Sequence, residues 1–170
     1  MDFILWAKAL LVCFRRFKRV IGEIDITMDT VALCSGTGTR DTFEVLERAA
    51  DLIARKVRIL NLRVITGQML ASLPQDKRRI LYDRFIEGES AAAVAGKEGL
   101  TLRAVYRALN GSVSVCADYL KNAGFDGAYF EKRYGSEGWI MCNLRKLENE
   151  ECNGGGNQAQ TTPLFHSSSK

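Results

Sequence analysis

The chain has 170 residues, of which 46% are hydrophobic and 26% are charged, and its formal net charge is +4. This length allows one domain or two small ones, and the apolar content allows a packed core. Only two prolines occur and alternating Val, Ile and Thr runs are scarce, so an all-α fold is favoured over a β-sandwich. The mild positive excess permits a nucleic-acid partner without requiring one.

The cysteines and the single histidine limit the chemistry that the chain can carry. The number of cysteines is odd and no two form a C-x-x-C pair, so neither a disulfide framework nor a zinc site is expected. Scattered thiols suit a reducing cytoplasm, where we expect the protein to act. His166 lies in a polar tail, and no paired-carboxylate motif is present, so the sequence predicts no enzyme, no metal site and no cofactor.

The first predicted helix covers residues 2–22. Asp2 and Lys8 are untypical of a signal peptide, and the apolar run is too short to span a bilayer. A partly buried amphipathic helix is therefore favoured, and a basic membrane-surface helix is the alternative. Gly22 is predicted to end this helix, and residues 23–41 are predicted to be irregular, with a short helical turn at 30–33. The apolar face contains Phe3, Trp6, Leu10, Phe14 or Phe17, and Ile21.

A long second helix is predicted over residues 42–66, capped by Asp41 or Thr42 and loosened at Gly67. Two interpretations of its heptad stripe are open. The favoured one buries the stripe against the first helix, and the alternative makes it a homodimer seam through Leu46, Ile53, Val57 and Leu60. The stripe consists of Leu46, Ala50, Ile53, Val57, Leu60 and Val64.

Three shorter helices are predicted between residues 73 and 115. Pro74 begins the first of them, which carries Ile80, Leu81 and Phe85 on its apolar face, and Gly88 ends it. Ser90 is predicted to cap the second helix, "AAAVAGKE", and Gly99 to end it. Thr101 is predicted to cap the third, "LRAVYRALNGSV".

The spacing of the second and third helices is typical of a helix-turn-helix. This motif needs a small residue, a turn glycine, a following apolar residue that fills the turn, and a branched residue five positions later. Ala95, Gly99, Leu100 and Val105 occupy these positions. An ordinary helical hairpin with a glycine in its turn is the alternative interpretation.

A DNA-reading third helix would turn polar side chains outward when Val105 is buried. Arg and Asn side chains hydrogen-bond to base edges, and capped helix ends contact phosphates. The predicted DNA contacts are therefore Ser90, Thr101, Leu102, Arg103, Tyr106, Arg107 and Asn110. The helix before the motif supplies candidates for phosphate contacts, which are Arg78, Arg79 and Arg84.

The segment "LPQDKRRILYDRFIEGESAAAVAGKEGLTLRAVYRAL" resembles region four of bacterial sigma factors, the module that reads the upstream promoter element. The matching features, over about 40 residues, are Leu73-Pro74, Arg79, Arg84-Phe85, Glu87-Gly88, Ser90, Val94-Ala95, Gly99-Leu100-Thr101 and Val105. The resemblance implies a sequence-specific transcriptional regulator that binds double-stranded DNA, of the small type found in phages and mobile elements of Gram-positive bacteria.

RNA polymerase is a second partner that this resemblance implies. Residues 1–70 carry no segment like the promoter-melting region two of a sigma factor, so we expect action at promoters without a melting region. A sigma-like module that binds RNA polymerase or another protein without reading DNA is the alternative. No membrane partner is expected.

Four regions are predicted along the chain. Residues 1–70 form a helical region for dimerisation or partner binding, and residues 71–121 form the helix-turn-helix domain. Residues 122–150 form a helical extension, and residues 151–170 form a disordered tail. The expected core of the extension is Phe130, Tyr134, Trp139, Ile140 and Leu144.

Overall fold

The computed structural model describes residues 3–35 and 42–153, and within them every regular element is helical, which confirms the all-α prediction. A short π-helical stretch, Tyr82–Ile86, continues the third helix. The helices are α1 (Phe3–Ser35), α2 (Thr42–Ala71), α3 (Gln75–Leu81), α4 (Ala91–Glu98), α5 (Leu102–Asn122), α6 (Gly127–Tyr134) and α7 (Gly138–Asn153).

Parts of the sequence predictions lie outside these residues. Asp2 of the first predicted helix, residues 36–41 of the predicted irregular segment with the Asp41 cap, and the predicted tail beyond residue 153 are not described. Residues 151–153, which were expected to belong to that tail, form the end of α7. Among the described helices, none combines the length and the apolar composition that a membrane-spanning segment requires.

The chain divides into two compact units. The two-helix unit comprises Phe14–Gly67, and the main unit comprises Met1–Cys13 together with Gln68–Lys170. Both α1 and α2 run from one unit into the other without a break. The amino-terminal end of α1 thus belongs to the same unit as the helices that follow Gly67.

In the two-helix unit, α1 does not end at Gly22 as the sequence predicted but continues to Ser35. Ile24 and Val31 are buried along this extension. A glycine inside a helix costs about 1 kcal/mol relative to alanine, whereas burying each branched side chain contributes about 1.5–3 kcal/mol. Burial therefore outweighs the weak helix propensity of this β-branched segment.

The heptad stripe of α2 faces solvent, so the favoured prediction of its burial is wrong. Leu46, Ile53 and Val57 expose 64%, 53% and 47% of their surface, and Leu60 exposes 36%. The buried residues of this part of α2 lie on its other sides, and they are Ile59, Leu62, Ile65 and Thr66. The helix has apolar residues on two faces, and the face that the sequence periodicity predicted to be buried is the exposed one.

An ion pair links α2 to α1, and α2 itself extends past the glycine at which the sequence predicted loosening. The Lys56 ammonium donates to the Asp25 carboxylate at 2.5 Å, which links α2 to α1 within the two-helix unit. The helix continues through Gly67, where the sequence predicted loosening, and ends at Ala71.

An aromatic cluster forms much of the core of the main unit. The rings of Trp6 and Phe130 stack with their centroids 4.7 Å apart, and Phe125, Tyr129 and Tyr134 surround Phe130. Burial raises the pKa of Tyr134 well above its usual range. The predicted core of the extension is confirmed for Phe130, Tyr134, Ile140 and Leu144, whereas Trp139 is only partly buried.

Candidate nucleic-acid interface

Helices α3, α4 and α5 share a small hydrophobic core. Ala95 on α4 and Val105 on α5 are buried, as the motif spacing predicted. Phe85 and Ala108 pack against this core at its margin. The core consists of Ile80, Ala91, Val94, Ala95, Val105 and Leu109. Apolar contacts therefore fix α5 on α3 and α4, and its polar side chains are left on the outside.

Two side-chain caps define where α4 and α5 begin. The Ser90 hydroxyl accepts a hydrogen bond from the Ala93 N–H at 3.1 Å. The Thr101 hydroxyl accepts one from the Ala104 N–H at 3.2 Å. Both caps satisfy a backbone donor that the first turn of a helix leaves without a partner, and both were predicted from the sequence.

The turn between α4 and α5 requires a left-handed residue. Gly99 adopts φ +63° and ψ +29°, and the N–H groups of Gly99 and Leu100 both donate to the Ala95 carbonyl. The predicted glycine stop is thereby confirmed. Leu100 was expected to fill the turn, but its side chain is 41% exposed and it is not part of the small core.

A matched pair of glycine substitutions tests this turn. Gly99→Ala should lower the free energy of unfolding by about 1–2 kcal/mol, because an L-residue is strained in the left-handed region. Gly96→Ala, in open space inside α4, should raise it by about 0.5–1 kcal/mol. Thermal denaturation measures both changes, and equal effects of the two variants would contradict the turn geometry.

The exposed face of α5 contains the side chains predicted to read DNA. Leu102 and Tyr106 expose 47% and 45% of their surface. Residues spaced three and four apart lie on one side of a helix, so Arg103, Tyr106, Arg107 and Asn110 form a continuous strip. The exposed residues are Thr101, Leu102, Arg103, Tyr106, Arg107 and Asn110, and Ser90 is exposed at the start of α4.

Such a strip offers guanidinium, phenol and amide groups to a partner. Arginine can donate two parallel hydrogen bonds to guanine, and asparagine can bind adenine in the same two-point manner. Positive charge on the same strip attracts phosphate. This combination of groups suits a duplex groove better than it suits an apolar protein surface.

The three arginines predicted to contact phosphates already have partners inside the protein. The Arg78 guanidinium donates to the carbonyls of Ala71 and Leu73 at 3.1 and 2.9 Å, at the end of α2. Arg84 is partly buried and donates to the Glu89 carbonyl at 3.1 Å. Arg78 and Arg84 therefore stabilise chain turns, and their phosphate contacts stay predictions.

Arg79 is the most accessible of these three arginines. Its side chain is 64% exposed and forms an ion pair with Glu98 at the end of α4. The hydrogen bond and the negative charge of Glu98 raise the pKa of Arg79. A phosphate approaching Arg79 would compete with Glu98, so this contact also stays a prediction.

A second ionic cluster at α4 was not foreseen from the sequence. The Lys97 ammonium donates to Glu89 at 2.6 Å and to Asp83 at 3.4 Å. These carboxylates raise the pKa of Lys97, chiefly through the hydrogen bond that the Glu89 carboxylate accepts from it. The only local signal was the mixture of charges around Gly88, which does not identify partners that lie 8 and 14 residues away.

The remaining chemistry of the described residues is limited. No group of His, Cys, Asp and Glu among them could hold a metal ion. The thiol of Cys116 is buried in α5, and burial raises its pKa to about 12, so it stays protonated at neutral pH.

Comparisons with known proteins leave the site to be interpreted from its own geometry. No protein-family model matches the chain. A search of curated proteins and a search of solved structures also found no match.

Proposed function

We propose that the chain is a sequence-specific DNA-binding transcriptional regulator that inserts α5 into the major groove of double-stranded DNA. The observation that carries this proposal is the left-handed turn at Gly99 between two capped helices, the second of which exposes Arg103, Tyr106, Arg107 and Asn110. A helix fits the major groove, and side chains of these types recognise base edges and phosphates there.

The amino-terminal end of α5 is the part proposed to contact DNA most closely. Its first-turn N–H groups carry partial positive charge, and no acidic residue lies in that turn. Arg103 lies next to this end, so it can reach a base while the helix end faces the phosphate strand. Thr101 and Ser90 are proposed to contact phosphates at the edges of the groove.

The proposed place of action is a promoter, in keeping with the resemblance to region four of sigma factors. RNA polymerase is proposed as the protein partner there. In this role the chain positions polymerase or occupies its site, and another component melts the DNA. The residues that resemble region four lie in the main unit of the fold.

A protein-interaction module is the second candidate, and one observation favours it. Leu100, Leu102 and Tyr106 each expose between 41% and 47% of their surface near the start of α5. Exposed apolar groups of this kind are common where one protein contacts another. Binding to RNA polymerase without DNA would use this apolar edge rather than the arginines.

Salt dependence separates the two candidates. DNA fragments selected from a random pool by the purified protein should bind with an affinity that falls steeply between 50 and 200 mM salt, by roughly 10-fold or more even for a few phosphate contacts. An apolar protein interface should change little over that range. If no fragment is enriched over the random pool at low salt, the DNA-binding proposal is wrong.

Arg103→Ala should weaken binding to the selected site by about 1–3 kcal/mol, because it removes a predicted two-point contact to a base. Fluorescence anisotropy with selected and random duplexes measures the effect. Arg145→Ala, which removes the same charge from the exposed surface of α7, is the matched control and should change neither affinity substantially. Equal losses on selected and random DNA would show that Arg103 contacts phosphate and does not read a base.

A further inference from the structure

The outward face of α2 is an exposed apolar surface in the two-helix unit. We call it the α2 stripe, and it consists of Leu46, Ala50, Ile53, Val57, Leu60 and Val64. Its five large side chains expose between 36% and 64% of their surface. At 1.5 Å per residue the stripe is about 27 Å long. A continuous apolar surface of this length is uncommon on a monomer and is typical of an interface.

The α2 stripe is separate from the buried face of α2. Ile59, Leu62 and Thr66 are buried, and at 100° per residue they lie roughly 140–160° around the helix axis from the stripe. The stripe therefore points away from the buried face of its own helix. Because α2 has two opposite apolar faces and one of them is buried, the second is left for another molecule.

The spacing of the α2 stripe specifies the shape of what can cover it. Its positions alternate steps of four and three residues, which is the repeat that packs one helix against another along its length. A helix with the same repeat fits this surface, and the stripe of a second copy has that repeat by definition. Self-association through one shared patch produces a closed two-fold dimer.

The charges of α2 favour a second copy in the opposite direction. Within about 140° of the stripe around the helix, the amino-terminal half of α2 carries only acidic charges and the carboxyl-terminal half only basic ones. These side chains are Glu47 and Asp51 in the first half, and Arg58, Arg63 and Lys56, which also pairs with Asp25, in the second. A parallel pair would bring like charges together at both ends. An antiparallel pair places the acidic half of each helix beside the basic half of its partner.

We propose that the α2 stripe is a homodimer interface at which two copies of the chain pair their α2 helices in antiparallel orientation. The inference rests on α2 alone and does not depend on DNA binding by α5. It commits to a second copy because the same helix supplies both the heptad surface and the complementary charges.

The first experiment measures mass in solution by analytical ultracentrifugation. At tens of micromolar the native chain should sediment at about twice its 18.9 kDa mass. Ile53→Glu should raise the dissociation constant by roughly 100-fold, because the dimer would bury two unpaired carboxylates. Ile53 is half-exposed in the single chain, so the variant should keep its helical circular dichroism.

Ile26→Glu is the matched control. Ile26 is 69% exposed on α1 and lies about 200° around that helix from buried Ile24, on the side away from the core of the unit. The same substitution there should leave the dimer intact. Should Ile53→Glu fail to fold, the uncharged Ile53→Gln gives the same comparison. A monomeric native chain at hundreds of micromolar, or equal dissociation by both glutamate variants, would overturn the proposal.

A second experiment tests the orientation. Added salt should weaken the antiparallel dimer, because it screens attraction between the opposite halves. Combined replacement of Glu47 and Asp51 by Lys should weaken it by roughly 10-fold at low salt. A dimer that becomes tighter with salt, or that tolerates this charge reversal, would overturn the antiparallel arrangement.

Discussion

Replacing Phe130 with Ala should lower the free energy of unfolding by about 3–5 kcal/mol, the largest effect that we expect of a single core truncation in this chain. Phe130 is fully buried, stacks on Trp6 and touches three further aromatic rings. Truncation removes these contacts and leaves a cavity that rigid neighbouring rings cannot fill. Chemical denaturation followed by circular dichroism measures the loss.

Phe125→Ala is the control for this prediction, since it removes the same atoms from the margin of the same cluster. Phe125 is only partly buried, so its truncation should cost clearly less. Where each variant remains folded, affinity for selected DNA should match that of the native chain, because neither ring lies on the proposed DNA-binding strip. Equal losses of stability for the two variants would show that the Trp6 stack does not anchor α1.

Replacing Ala95 with Leu should have the second large effect, a loss of both stability and DNA affinity, and it tests how closely α4 and α5 cross. Ala95 is 9% exposed and lies in the same small core as Val105 and Leu109. A larger side chain must push α5 outward, which should cost about 1–3 kcal/mol of stability. Because α5 carries the proposed DNA-binding strip, affinity for the selected DNA should fall as well.

The control for Ala95→Leu is Arg107→Gln, on the exposed side of α5. It should leave the melting temperature unchanged and weaken DNA binding alone, since it removes a charge and no core contact. An Ala95→Leu protein that melts and binds DNA like the native chain would show that α4 and α5 do not cross closely. The helix-turn-helix interpretation would then be wrong.

The local signals of the α4–α5 segment could be read from the sequence because each one acts within a few residues. The Ser90 and Thr101 hydroxyls bond to N–H groups three positions ahead, and Gly99 takes the left-handed turn that other residues avoid. Burial of Ala95 and Val105 followed from helical spacing alone. These predictions needed no knowledge of the rest of the chain.

The partners of the charged side chains could not be predicted in this way. Arg79 pairs with Glu98 across 19 residues, and Arg78 donates to carbonyls at the end of α2. From the sequence, both arginines were predicted to be exposed basic residues that contact phosphates. The sequence does not say which groups the fold brings within hydrogen-bond distance of them. The distinction between a phosphate-binding arginine and a structural one therefore depends on the tertiary structure.

The sequence by itself determined that the chain is helical and where the turn-and-cap pattern lies, because propensity, caps and left-handed glycines are properties of neighbouring residues. Only the tertiary structure decided how far α1 extends past Gly22 and which face of α2 is covered. Both outcomes depend on burial against residues distant in the chain. Because α2 has apolar residues on two faces, the periodicity of its sequence does not show which face is buried. The burial of Ile59 and Leu62 in the structure does.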